Sequence, residues 1–401
     1  MLDFEHAQAL LAGNGPLPTQ TELVPIFRCT DRVLAESLTA ALSLPSSDNS
    51  AMDGYAIRYA DFFPGRAIPV QGCSYAGERA GALEPGYAIR LFTGSLMPAG
   101  ADTVVMQENS HEVDGTVMID FPPRMGQHIR KRGEDIREGQ ILLPQGVVLQ
   151  PAQVGLIASQ GIGTVKVFSR VKIGILTTGD ELVAVGRDRQ SHQLYNSNAP
   201  MLATWAEKLG AQVTCVLHSK DDETAIRRAL TELLVQCDLI VTTGGVSVGE
   251  KNLVKPAIES LGGLPVLSKV RMKPGKPVSV SSIGATPVVC LPGNPGAAFI
   301  VATLLVSPMI RRMQGRTEVF PPVLAFPLRI QRPNRVERDE FVRVRCQPRP
   351  GREAELVSFR QQSPGALGST AQTSGLARLP AGCQFKDGDS ASYYDLQHWL
   401  T

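Results

Sequence analysis

The chain lacks the cysteine and histidine patterns that would settle its chemistry early. Its seven cysteines are scattered, odd in number and without a C-x-x-C pair. That excludes a zinc knuckle and argues for a reducing compartment with no disulfide framework. The six histidines form neither H-x-H nor H-E-x-x-H, so the common zinc-hydrolase signatures are missing too. Charge of one sign is absent: 40 Lys and Arg stand against 38 Asp and Glu. A chain so nearly neutral is not expected to be a bulk binder of nucleic acid or another polyanion. The acidic N-terminus has no signal-peptide core. The longest apolar run, 296–306, is too short for a bilayer and stops before Pro308. These absences lead to the expectation of a cytoplasmic protein with no membrane and no nucleic-acid partner. No coiled coil, long low-complexity tract or solenoid period occurs either.

What is present divides by texture. At 401 residues the chain is long for a single core, so several domains are expected. Residues 3–11 have the spacing of a short amphipathic helix. Thr30 and Asp31 offer a cap for a second helix through Val33, Leu34 and Leu38. Residues 57–140 are rich in Gly and Pro, with short β-type runs at 67–70, 87–92, 103–107 and 116–119, which predicts a small, mostly β domain. Residues 150–160 predict a helix with Pro151 at its start.

From 171 onward, strands (171–177, 212–218, 238–241, 266–272, 278–281, 288–291) alternate with helices (198–209, 221–236, 251–261 and one after Pro295). That alternation predicts a doubly wound α/β domain with a parallel sheet. After 318 the chain returns to short strands and turns. Arg329–Arg352 holds eight arginines, partly offset by Glu337, Asp339 and Glu340, and reads as a solvated strand face or an anion site. The expected fold is therefore α/β plus β and multidomain. A helical or extended linker domain covers 1–25 and 141–170, a mostly β domain 26–140, the α/β domain 171–318, and a β-barrel-like domain 319–401.

Ligands of open α/β sheets bind beyond the carboxyl ends of strands. Three turns lie there: 177–182 (Thr178, Gly179, Asp180, Glu181), 242–252 (Gly244, Gly245, Ser247, Gly249, Asn252) and Pro292-Gly293-Asn294-Pro295. The 242–252 stretch is neither GxGxxG nor GxxxxGK[ST], so it fits either an anion cradle or a tight β–α turn with no ligand. Lys273 and Lys276 flank a Pro-Gly pair and end in Pro277; two ammonium groups on a stiff turn suit a small oxyanion, and equally a surface turn. Taken together, amides, lysines and carboxylates describe a phosphate-plus-Mg²⁺ pocket. No histidine or cysteine is placed as a nucleophile, and phosphoryl chemistry needs none.

Seven stretches occur in one order: DNSAMDGYA (48–56), TGxxxPxGAD (93–102), RGEDI (132–136), TGDEL (178–182), GGVSVG (244–249), KPGKP (273–277) and LPGNP (291–295). That series resembles the molybdopterin molybdenumtransferase (MoeA) family, to which the E domains of gephyrin and of its plant counterpart belong. The resemblance covers nearly the whole chain. It implies molybdenum cofactor biosynthesis: molybdate is inserted into adenylylated molybdopterin, with Mg²⁺, and AMP is released. It implies a central molybdopterin-binding α/β domain and a homodimer with shared active sites. It also implies a molybdopterin adenylyltransferase and apo-molybdoenzymes as possible partners.

By the same resemblance, Asp53, Thr93, Asp135 and Glu181 are needed for activity. The turns at 178–182, 244–249 and 292–295 hold the substrate. Lys273, Lys276 and Pro277, with Arg338 or Arg343, form the molybdate pocket, and Glu181 and Asn252 serve the metal.

Three positions depart from the family pattern. Asn252 stands where Asp usually serves Mg²⁺, Gly296-Ala297 where Val-Ser is usual, and Asn196 where Asp opens the next helix. They define the alternative reading, a catalytically weakened paralogue that binds molybdopterin as a scaffold. A third reading, the preceding adenylyltransferase step, fits the α/β domain alone; the N-terminal β domain and the 273–277 turn count against it.

Overall fold

A computed structural model describes residues 1–79, 81–245, 253–330, 334–335 and 337–401. They divide into two compact units. One holds Ser37–Pro144 and Gly155–Ile162; the other holds Met1–Glu36, Gln145–Val154 and Gly163–Thr401.

The smaller unit is built on a six-stranded sheet in the order Thr103–Met106, Gly54–Ile57, Ala88–Leu91, Ile68–Ser74, Thr116–Ile119, Ser110–Val113. Its strands bury Tyr55, Ile57, Val105 and Val117 in one cluster, and Ala56, Ile89, Leu91 and Val104 in another. Gly54–Ile57 is a central strand, although Asp53-Gly54 has the look of a turn. The glycine is there for contact: a Cβ on Gly54 would lie 1.9 Å from the Val105 carbonyl oxygen.

The helix expected through Val33, Leu34 and Leu38 does not form. Asp31 is left-handed at φ 63 and cannot cap it. Val33 bridges Val148, Leu34 bridges Val167, and Leu38–Thr39 pairs with Ile141–Leu143. Distant strand partners override the local helical spacing.

The larger unit contains a six-stranded sheet whose strands we label β1 (Lys172–Thr178), β2 (Gln212–Ser219), β3 (Leu239–Thr243), β4 (Leu264–Ser268), β5 (Ser279–Ile283) and β6 (Thr286–Leu291), in the order β2-β1-β3-β6-β5-β4. The first four in that order are parallel, while β5 runs antiparallel to both its neighbours, β6 and β4. The expected all-parallel sheet is thus mixed. Ile283 pairs with Thr286, which leaves only Gly284 and Ala285 for the connection, and a two-residue hairpin forces an antiparallel neighbour.

Alternation along the strands loads both faces. Ile173, Ile175, Val241, Val289 and Leu291 meet Leu202 and Trp205 of α1 (Asn198–Lys208), together with the N-terminal helix Phe4–Asn14. Leu176, Ile240, Val288 and Cys290 meet Ile226 and Leu230 of α2 (Glu223–Gln236) and Val254 and Ile258 of α3 (Val254–Ser260). The sheet is therefore doubly wound, and the strand order reverses between β1 and β3.

The helix after Pro295 is longer than the apolar run suggested. Pro295–Met313 is 19 residues long and apolar enough, by length and composition, to cross a membrane, but its hydropathic window is 89% buried. It is a core helix, packing Ile300, Leu304 and Ile310. A π turn at Ala302–Val306 precedes Pro308, whose missing N–H would interrupt an α ladder.

The expected strand at 266–272 splits. Its second half, Met272–Lys273, adds to the C-terminal sheet beside Asp339–Arg349. That sheet closes on itself: Asp339–Arg349, Arg352–Ser358, Leu324–Arg329, Ser390–Asp395 and Gly375–Leu379 pair in turn, and the last returns to the first. The result is a small barrel with Leu328, Val342, Leu356 and Tyr393 inside.

Candidate active site

The site is read in two clusters, one in each unit. In the larger unit, three turns converge at the carboxyl ends of β1, β3 and β6, where the strand order reverses. A Cβ on Gly244 would lie 2.3 Å from the Thr178 carbonyl oxygen and 2.7 Å from its hydroxyl, and Gly244 has φ 97. Only glycine meets both demands. Gly293 faces Gly244 across 3.7 Å, measured from the Cβ it lacks.

Polar side chains tie the turns together. Asn198 Nδ2 donates to Thr243 Oγ1 (3.0 Å) and to the Gly293 carbonyl (2.7 Å), and Thr243 Oγ1 donates to the Pro292 carbonyl (3.0 Å). Asn196 Nδ2 donates to Thr177 Oγ1 at 2.8 Å. Among the described residues, Thr178 Oγ1 and Asn198 Oδ1 are buried without a hydrogen-bond partner. Buried polar atoms seldom remain so, which marks this spot as one prepared for a ligand's polar groups.

At the rim, the Glu181 carboxylate folds over Gly179, 2.6 Å from where a Cβ would sit. Asp180 accepts from the Asp221 amide at 3.2 Å. Pro295 begins the core helix. Ser247, Gly249 and Asn252 lie outside the described residues.

The 273–277 turn reaches the barrel. Lys273 Nζ is 3.0 Å from Glu340 Oε1, and Arg338 Nη1 donates to the Met272 carbonyl at 3.3 Å. Gly275, at φ 122, packs against Val301 of the core helix, and its missing Cβ would lie 2.6 Å from Val301 Cγ2. Lys276 is exposed and Pro277 half-buried.

Arg343 is placed differently from the other basic residues. It is 1% exposed, and its Nη2 donates to the carbonyls of Ser363 (2.9 Å) and Gln361 (3.2 Å). Burial lowers its pKa below the usual arginine value. It lies under the 294–297 turn: a Cβ on Gly296 would be 2.8 Å from Arg343 Nη1. The 361–366 loop carries no local pattern that marks it in the sequence, since it acts through a partner distant in the chain.

In the smaller unit, three motifs gather around the short strand Asn49–Ser50. Ile129 pairs with Ser50, and Gly94 N–H donates to the Ser50 carbonyl at 2.9 Å. Asp48 accepts from Lys131 Nζ and from the Arg132 amide, both at 2.8 Å, and the Lys131 contact leads in holding its carboxyl below the usual range. Asp53 Oδ1 accepts from the Thr93 amide (2.7 Å) and hydroxyl (2.8 Å). The amide bond is the largest cause of its lowered pKa. Asp135 is exposed, its amide bonded to the Leu44 carbonyl. Asp53 and Thr93 are thus in direct contact, and Asp135 stands on the neighbouring turn.

Residues 2–161 match the MoeA N-terminal region (domain I and II), 174–312 a "probable molybdopterin binding domain", and 326–396 the MoeA C-terminal region (domain IV). The chain is 38% identical over 320 residues to a molybdopterin molybdenumtransferase of Haemophilus influenzae, covering 79% of each. It is 34% identical over 390 residues to that of Synechococcus elongatus, covering 94% of this chain and 95% of the relative. Among solved structures, a molybdopterin biosynthesis MoeA protein from Pyrococcus horikoshii superposes with a TM-score of 0.85 at 25% identity, covering 98% of this chain and all of that one.

Proposed function

Because the chain belongs to the molybdopterin molybdenumtransferase family and inserts molybdenum in the synthesis of the molybdenum cofactor, we propose that its substrate is adenylylated molybdopterin and that AMP leaves in a Mg²⁺-dependent reaction. The observation that carries this is the convergence of Thr178, Gly244 and Gly293 at the β1/β3 reversal, with the buried Thr178 hydroxyl unpartnered. Backbone without side chains lets a phosphate approach closely, and the hydroxyl offers it a donor.

In this reading Thr178, Gly179, Asp180, Gly244, Gly245, Ser247, Gly249 and the 292–295 turn hold the nucleotide and pterin. Lys273, Lys276 and Pro277, with Arg338 or Arg343, hold molybdate, the substrate oxyanion. Among the described residues no group of three or more His, Cys, Asp or Glu could hold a metal. Glu181 and Asp180 offer two hard oxygen donors on one turn, and Asn252 would add a carbonyl oxygen. That set fits Mg²⁺, which keeps several waters and takes its remaining ligands from phosphate. When bound, Mg²⁺ neutralises charge on the phosphoanhydride oxygens. Glu181 orients the turn beneath it, and Asp53 stays ionised through its two bonds from Thr93.

The reading includes a cytoplasmic homodimer in which the Asp53, Thr93 and Asp135 cluster of one protomer serves the pocket of its partner. It leaves room for a molybdopterin adenylyltransferase upstream and apo-molybdoenzymes downstream. The test is AMP release from adenylylated molybdopterin by the purified protein, with and without molybdate and Mg²⁺. Release that requires both supports it. Tight binding without release supports the weakened-paralogue reading, which Asn252 favours by removing a charge from the metal site.

A further inference from the structure

Beside the Asp53–Thr93 pair, three rings and one cation form a continuous ladder. Tyr55 and Arg90 are cross-strand partners in the small sheet, and the Arg90 guanidinium carbon lies 4.8 Å from the Tyr55 ring centroid. The same carbon is 5.5 Å from the centroid of Phe92. Tyr75 stacks on Phe92, with the centroids 4.8 Å apart and the planes 6° from parallel. The ring quadrupole favours both arrangements, the cation over a ring face and the offset stack.

Hydrogen bonds anchor the inner rungs. Tyr55 is buried, and its hydroxyl donates to Glu112 Oε2 at 2.6 Å. Arg90 Nη2 donates to Gln107 Oε1, and the Gln107 amide donates to the Asp53 carbonyl at 3.0 Å. The buried Ser95 hydroxyl accepts from the Phe92 amide at 3.1 Å and donates to the Ser74 carbonyl at 2.9 Å. One side chain thus ties Phe92 to the residue before Tyr75. The Tyr75 amide donates to Glu78 Oε2 at 3.0 Å, which closes the turn that follows.

The outer rung is different. Tyr75 is 50% exposed, and Phe92 covers only one face of its ring. A tyrosine half in solvent adds little to a core, yet this one is held flat by a stack and by its turn. A ring fixed beforehand loses little freedom when a second flat ring settles on it. Its neighbour Phe92 directly precedes Thr93, so the free face belongs to the segment that carries the Asp53–Thr93 contact.

We propose that Tyr75, held by its stack on Phe92, is a stacking residue for a flat nitrogen heterocycle of the substrate. The inference rests on the function proposed above, whose substrate carries two such rings, adenine and the pterin. Both have a π face that stacks on an aromatic side chain.

The experiment titrates the full-length protein with 6-hydroxymethylpterin, followed by quenching of pterin fluorescence, and separately with AMP, followed by calorimetry, alongside thermal melting. The variants are Tyr75→Leu and Tyr75→Phe. Tyr75→Leu is expected to weaken one of the two ligands by about tenfold and to leave the other within about twofold, with Tm within about 3 °C of the parent. The ligand that weakens identifies the ring. Tyr75→Phe keeps the ring and is expected to bind that ligand within about threefold of the parent. Unchanged affinity of Tyr75→Leu for both ligands overturns the proposal. So do a phenylalanine variant no better than leucine, an equal loss of both ligands, which a disturbed fold would cause, or a parent protein that binds neither. AMP release from adenylylated molybdopterin is scored separately on the parent. Its absence with these binding results intact removes the proposed reaction but leaves the stacking residue; its presence with unchanged binding in Tyr75→Leu removes the stacking residue alone.

Discussion

One oxygen of the Asp53 carboxylate accepts both hydrogen bonds that Thr93 donates, from its amide at 2.7 Å and from its hydroxyl at 2.8 Å. These residues are forty positions apart, in two of the motifs that meet at Asn49–Ser50. The pair fixes an ionised carboxylate at the start of the strand Gly54–Ile57.

Asp53 is therefore expected to titrate below the ordinary aspartate range, the amide bond contributing most. Because the folded pKa is depressed, the ionised form favours folding above the unfolded value, and that contribution disappears as pH falls through the folded one, below about pH 4. Thr93→Val removes the hydroxyl bond and is expected to raise the Asp53 pKa, read by carboxyl ¹³C NMR titration. Asp53→Asn is expected to lower turnover by roughly a hundredfold. An unmoved resonance in Thr93→Val contradicts the assignment of cause.

Gly244→Ala is expected to destabilise by at least roughly 2 kcal/mol, since it adds both a positive-φ penalty and a clash with the Thr178 backbone. Denaturant unfolding measures it. A change below half that size would mean that the turns at 178 and 244 do not meet as closely as described.

The two lysines of the 273–277 turn separate stability from binding. Lys273→Met leaves Glu340 unpaired, a carboxylate only 10% exposed, and is expected to cost about 1 kcal/mol given that Lys273 itself is half in solvent. Lys276→Met is expected to change stability by less than about 0.5 kcal/mol yet to raise the molybdate KM. Thermal melting and saturation kinetics on the two variants check this together.

Glu181→Gln keeps the side chain's size over Gly179 but removes its charge. The expected result is an unchanged Tm and roughly a tenfold higher Mg²⁺ requirement for AMP release, a factor that corresponds to about 1.4 kcal/mol. Chelation with EDTA is expected to stop the parent enzyme reversibly.

Much of this architecture could be read from the chain itself. The strand-end glycines and the alternation of helix and strand from 171 onward follow from local periodicity, and observed bounds for β1, β2, α1 and α2 differ from the expected ones by a residue or two. Readings went astray where long-range partners decide. Val33 and Leu34 have helical spacing but bridge to Val148 and Val167. Gly54 has the look of a turn glycine but opens a central strand because Val105 presses on it. The antiparallel β5 depends on a two-residue connection, and Met272–Lys273 leaves its expected strand for the barrel. Arg343 and Arg338 looked alike in a run of arginines. Only packing separates the one buried under Gly296 from the one bonded to the Met272 carbonyl.

The most direct test of the central claim is the ratio of molybdenum delivered to AMP released, with cofactor content scored by activation of an apo-molybdoenzyme. The account predicts equal amounts, and no AMP without molybdate. AMP release that proceeds without molybdenum insertion would contradict it and make the chain a hydrolase of the adenylylated pterin.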